Sequence, residues 1–82
     1  MPNPEDILNA MMKIMQEERL AKGLNYEDFS AAAGLHRTTI PRYENGSVVP
    51  TVLAAIKMAQ ALNMNFSEVM IQAETFCKNR NP

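Results

Sequence analysis

The chain has 82 residues, 46% of them apolar and 21% charged, which places it among small globular domains and argues against a disordered segment. A domain this short buries only about 60% of its unfolded surface, so pairing with a second copy would add to a limited core. Net charge is −1 and the pI about 5.7, which argues against a generic basic coat for nucleic acid but leaves a local basic patch open.

Asn3 suits an N-cap, Pro4 the first helical position, and Glu5 and Asp6 put negative charge in the first turn, so a helix is predicted from Pro4 to about Lys22, stopped by Gly23. Leu8, Met11, Met12 and Met15 recur at three- and four-residue spacing as its buried face, with Ile7 and Ile14 on an adjoining stripe. These methionines read as core filling, or as a face wide enough to serve a partner subunit as well.

Asn25 looks like the N-cap of a second helix, with Asp28 in the reciprocal capping position and Phe29, Ala32 and Ala33 facing inward. Gly34 suits the positive φ at a helix C-terminus. A third helix is predicted over His36 to Asn45, with His36 as its N-cap, Ile40 and Tyr43 inward and Gly46 closing it. Two short helices joined through a glycine-containing turn at Ala33–Gly34–Leu35 have the form of a helix-turn-helix. Ser47 to Pro50 reads as a loop.

Thr51 caps a fourth helix to about Leu62, with an apolar stripe of Leu53, Ile56, Ala59 and Leu62, and Asn63 can end it in left-handed geometry. Asn65 and Glu68 pair as caps of a fifth helix reaching Phe76 or Cys77, with Val69, Met70, Ala73, Phe76 and Cys77 along one side, the first four of them the candidate interface. That stripe either forms a dimer interface or packs back on the first helix. The prediction is an all-α domain of five helices spanning residues 1–82, with no strand.

No apolar run approaches the roughly 18 residues of a membrane span, and the N-terminus lacks a signal-peptide pattern, so a cytoplasmic protein is expected. Cys77 is the only cysteine, which precludes an internal disulfide and fits a reducing compartment. One histidine far from that cysteine, no glycine-rich phosphate loop and no metal-ligand spacing point away from an enzyme and from any cofactor or metal. The acidic pairs Glu17–Glu18 and Glu27–Asp28 read as solvated faces.

From Met15 to Met70 the chain resembles the phage-repressor and Cro type of helix-turn-helix domain, the Xre family. The phrases that carry the likeness are Arg19-Leu20-Ala21-Lys22-Gly23-Leu24, Asn25-Tyr26-Glu27-Asp28-Phe29, Ala33-Gly34-Leu35, Tyr43-Glu44-Asn45-Gly46, Pro50-Thr51 and Ile56 to Leu62, in one ungapped register. The resemblance implies a compact, lambda-repressor-like five-helix fold that binds double-stranded DNA as a symmetric dimer, its third helix in the major groove. Residue by residue it implies that His36, Arg37, Thr38 and Arg42 read base edges. Arginine can donate two parallel hydrogen bonds to guanine, and threonine offers a hydroxyl and a methyl.

The same register implies phosphate contacts at Asn25, Tyr26 and Asn45, with Ser47 and Lys57 as further candidates, and a buried ion pair between Arg19 and Glu44. Tyr26 stands where the family usually has glutamine, and a phenol cannot reproduce the paired donor and acceptor of an amide. Pro41 is the larger departure, since in a regular helix over residues 36–45 it would drop a hydrogen bond and crowd the Arg37 carbonyl. Either the helix kinks there, or regular helix begins only near Pro41 with His36 to Ile40 in a tighter turn.

The function implied is a bacterial or phage regulator of transcription, nucleoid-associated, that occupies a palindromic operator without an attached effector domain. A toxin or polymerase could be a protein partner. The competing expectation is an interaction module, such as an antitoxin or adaptor, whose DNA contact is secondary or absent.

Overall fold

Three side-chain caps and four left-handed residues mark helix ends among the described residues. The computed structural model describes residues 2–80, as α1 (Pro4–Ala21), α2 (Tyr26–Ala33), α3 (Thr39–Glu44), α4 (Val52–Ala61) and α5 (Phe66–Arg80), with no strand among the described residues. Asn3 Oδ1 accepts the Glu5 N–H at 2.9 Å, Asn25 Oδ1 the Asp28 N–H at 2.7 Å and Thr51 Oγ1 the Ala54 N–H at 3.0 Å. At the start of α5 the Asn65 amide donates to Glu68 Oε1 at 3.3 Å. The first three satisfy backbone donors that a helix N-terminus leaves exposed, while the Asn65–Glu68 bond joins two side chains.

The C-terminal ends share one device. After α2, the Gly34 N–H donates to Ala31 O and the Leu35 N–H reaches back to Ser30 O, the paired bonds of a Schellman motif. Gly34 takes φ of +69°, a conformation costly for a side-chain-bearing residue. Gly23, Gly46 and Asn63 repeat the pattern after α1, α3 and α4. Leu24, Leu35 and Met64, next in line after three of these turns, pack on the core and fix the direction in which the chain leaves.

The core is built on Met15, Phe29, Ile40, Met58, Leu62 and Val69, all fully buried. α1 pairs most extensively with α5, and α2 with α4, while α3 rests on α1 and α2. Met11 and Met12 are buried with Met15, and Ile7, Leu8 and Ile14 are half-buried, so the methionines of α1 fill the core. Ser30 is buried inside α2 because its hydroxyl donates to the Tyr26 carbonyl at 2.6 Å.

Three inward faces differ from expectation. In α2, Ala33 is buried but Ala32 is exposed, because the eight-residue helix turns only its Phe29–Ser30–Ala33 edge to the core. In α4 the buried stripe is Ala54, Ala55, Met58, Ala59 and Leu62, so Leu53 is exposed and Ile56 half-buried. Alanines turned inward let α4 approach α2 closely, and Met58 fills the remaining space. In α5, Val69 and Ala73 are fully buried against the core with Cys77, which removes them from any dimer interface. Met70 and Phe76 stay on the surface.

Pro41 resolves the third helix. Regular helix begins at Thr39, after a turn in which the Thr39 N–H donates to the His36 carbonyl at 2.9 Å. Pro41 is therefore the third helical residue, where an N–H has no intrahelical acceptor and a proline costs little. The N-cap is Thr38, not His36, and it makes no side-chain capping bond.

A proline that fits its site stabilises mainly by restricting the unfolded chain. Pro41→Ser is thus expected to lower stability by about 0.4–1 kcal/mol. A kinked, strained helix would give the opposite sign, a rise in the thermal midpoint on removing the ring.

Candidate nucleic-acid interface

α3 has two unlike sides. Ile40 is fully buried and Tyr43 half-buried on the inner one, while Thr38, Arg42 and Asn45, spaced by four and three residues, share the exposed one. Arg37 and His36 are exposed in the turn that leads into it, and Pro41 is half-buried between Thr38 and Arg42. His36, Arg37, Thr38 and Arg42 are thus all exposed within seven consecutive residues. Arg37 and His36 lie outside the helix and Arg42 within it.

The turn has internal order. His36 Nδ1 accepts the Thr38 N–H at 3.2 Å and stands 2.8 Å from Thr38 Oγ1. An accepting Nδ1 puts the ring proton on Nε2, and the Thr38 hydroxyl then donates to the same nitrogen. His36 thus presents an N–H donor outward, and Thr38 presents a methyl and an oxygen able to accept.

The inner end of α3 is anchored by Glu44. Its Oε2 lies 2.9 Å from Arg19 Nε and its Oε1 3.1 Å from Arg19 Nη2, a two-pronged pair whose side chains are 7% and 4% exposed. Arg19 Nη1 also donates to the Leu24 carbonyl at 2.7 Å. Glu44 Oε1 further accepts from Gln16 Nε2 at 3.2 Å and from the Tyr26 hydroxyl at 2.9 Å. The Arg19 guanidinium sits 4.4 Å from the centre of the Tyr26 ring. One carboxylate therefore ties together α1, the start of α2 and the end of α3.

The Tyr26 hydroxyl is held protonated. Its hydrogen bond to Glu44 raises its pKa, burial and the Glu44 charge add to this, and Arg19 opposes it. Its single proton is committed to Glu44, so it has none for a phosphate oxygen. Gln16 belongs to this cluster although no motif phrase includes it; its position three residues before Arg19 on α1 puts both on one face.

The amides at the two ends of the unit differ from Tyr26. Asn25 and Asn45 each spend the side-chain oxygen locally, on the Asp28 N–H and on the Ser47 N–H at 2.8 Å, which leaves each NH₂ group available as a donor. Ser47 is exposed beside Asn45, and Lys57 is half-buried on α4. Glu27 and Asp28 stand exposed in the first turn of α2, where they favour the helix dipole.

Charge is divided unevenly along the chain. Residues 36–67 hold three bases, Arg37, Arg42 and Lys57, and a single acid, Glu44, which Arg19 neutralises inside the fold. An acidic protein overall therefore carries a locally basic, acid-free α3 face. Among the described residues no cluster of His, Cys, Asp and Glu could hold a metal ion, and no helix is long and apolar enough to cross a membrane.

A family model described as Helix-turn-helix matches residues 15–69, which spans all of α2 to α4 with the C-terminal part of α1 and the start of α5. No curated protein and no solved structure gives a significant match.

Proposed function

The chain belongs to the Xre-like helix-turn-helix family of DNA-binding regulators, and from that premise we propose that it is a sequence-specific transcriptional regulator. In this reading a dimer occupies a two-fold-symmetric operator and sets two α3 helices in successive major grooves, about 34 Å apart. Arg37 and Arg42 donate to guanine edges, the Thr38 methyl meets thymine, and His36 Nε2–H supplies a further donor. Asn25, Asn45 and Ser47 hold phosphates, with Lys57 adding charge, while Tyr26 acts through Glu44 as a brace. Action is by occupancy: repression where the operator overlaps a promoter, activation where a face meets polymerase.

The observation that supports this reading most is the exposed stretch formed by α3 and the turn before it, which carries Arg42 and Arg37 while its only acid, Glu44, is turned inward and neutralised. Selection of sites from random double-stranded DNA tests it. Enrichment of a palindrome is the expected result; failure to enrich any sequence would overturn the reading. One feature favours an interaction module instead, namely the Tyr26 hydroxyl spent on Glu44 beside the acidic Glu27 and Asp28 at a phosphate-gripping position. Co-purification of a neighbouring gene's product, with no DNA enrichment, would support that alternative.

A further inference from the structure

We propose that a second copy of this chain packs on the apolar face made by Val48, Val49, Val52 and Leu53, so that the two-fold axis runs beside the end of α3 and not along α5. The inference rests on the dimeric reading above and names its surface.

These four large apolar side chains fall within six consecutive positions of the α3–α4 loop and the first turn of α4, and all are exposed, Val49 to 71% and Val52 to 67%. They cannot be spare core residues, because the inner face of α4 is already occupied by Ala54, Ala55, Met58 and Ala59. Large apolar side chains exposed together in so short a stretch mark an interaction site.

Charge identifies the occupant. The twelve residues from Asn45 to Ile56 contain no charged side chain, although a fifth of the whole chain is charged. In a two-fold contact each residue near the axis approaches its own counterpart, so any charge there would meet its own sign. A charge-free apolar surface complements itself. The exposed apolar residues of α5, among them Met70 and Ile71, lie instead among Glu68, Glu74 and Lys78, and the residues best suited to an interface there already face α1.

The surface is also fastened to the reading helix. The Ser47 and Val48 N–H groups both donate to the Arg42 carbonyl, at 2.9 and 3.3 Å, and Ser47 N–H is held again by Asn45 Oδ1. Two copies that meet at Val48–Leu53 therefore fix the offset of their α3 helices through a few short, bonded residues. Four side chains cover less than the roughly 800 Å² per partner of a standard interface, so pairing is weak in solution and is completed on DNA.

The test compares wild type, Val52→Glu and Ile71→Glu by sedimentation, and by binding to a selected full site and to a single half-site. Both substitutions fall at exposed positions, and an unchanged thermal midpoint checks the fold. Val52→Glu is expected to abolish self-association and to cut full-site affinity by about 100-fold, the gain from tethering a second module, while leaving half-site affinity unchanged. Ile71→Glu is expected to do neither. An equimolar mixture of Val52→Glu and Val52→Lys should recover pairing.

A Val52→Glu protein that pairs like wild type, or an Ile71→Glu protein that fails to, would overturn the proposal. So would wild type that stays monomeric and binds two half-sites independently, which would assign the patch to another protein. If no DNA site is enriched but Val52→Glu still splits a dimer, the surface stands and the operator reading falls.

Discussion

Replacing Glu44 by alanine is expected to lower the thermal midpoint by about 12 °C or more and to abolish DNA binding through loss of the fold. The carboxylate makes two bonds to Arg19, one to Gln16 and one to Tyr26, and it is nearly inaccessible to solvent. Removing it strands the buried Arg19 guanidinium, which retains only the Leu24 carbonyl and the Tyr26 ring. Breaking one side of a buried ion pair costs about 3–5 kcal/mol. A domain of 82 residues has about 4–12 kcal/mol in total, and each kcal/mol moves its midpoint by about 4–8 °C.

Two companion variants divide the effect. Glu44→Gln keeps an acceptor oxygen and should fall between wild type and Glu44→Ala. Tyr26→Phe removes one hydrogen bond from a half-exposed ring and should cost about 0.5–1.5 kcal/mol. Its linkage has a definite sign: with the phenol's pKa raised above its ordinary value near 10, the contribution is full below pH 10 and is lost as pH rises through the raised value. Calorimetry of the three variants provides the check. An unchanged midpoint in Glu44→Ala would show that the carboxylate does not hold the fold.

Most helix ends were legible in the sequence because capping is local. Asn3, Asn25, Thr51 and Asn65 bond within three residues, and Gly23, Gly34, Gly46 and Asn63 end helices through their own φ. But α5 runs to Arg80, past the expected end at Phe76 or Cys77, because no glycine or proline stands between Cys77 and Arg80 to stop it. The inward face of α4 was not legible. From Val52 to Leu62 only Lys57 and Gln60 are polar, so periodicity cannot orient the helix, and its orientation is decided by how closely α2 can approach. The start of α3 was open for a related reason: a proline is compatible with a kinked helix or with a later first turn, and the fold takes the second, with Ile40 fully buried in that first turn.

The candidate interface divides along the same line. Its exposed arginines and its amides occupy positions that a motif register supplies. The fourfold coordination of Glu44 depends on three helices meeting, and nothing local to Gln16 or to the Tyr26 hydroxyl announces it. Tyr26 shows the consequence. Its place in the motif is that of a phosphate donor, while its geometry spends the hydroxyl on bracing the end of α3. A residue's position in a motif and the partner its side chain finds are separate facts, and the partner decides what remains for a ligand.

The largest effect on function without an effect on folding is expected from Arg37 and Arg42. Both side chains are exposed, and among the described residues neither takes part in an ion pair or a side-chain hydrogen bond, so their removal leaves the midpoint in place. Each bidentate base contact is worth about 1–3 kcal/mol, hence a weakening of about 5- to 150-fold for either single variant on the selected site. The double variant should approach the protein's non-specific affinity. Salt separates the roles. Removing a charge that neutralises a phosphate flattens the dependence of affinity on salt by about 0.9 in slope and weakens all sequences alike, whereas removing a base-reading group relaxes preference at one position. Arg42 projects from regular helix whose carbonyl is pinned by Ser47 and Val48, while Arg37 lies in the turn that Pro41 leaves outside the helix. The more rigidly based side chain should discriminate better, so Arg42→Ala should relax sequence preference more than Arg37→Ala. Uniform weakening in both variants, with slopes flattened and no position relaxed, would move both arginines from the bases to the backbone and leave the specificity to His36 and Thr38.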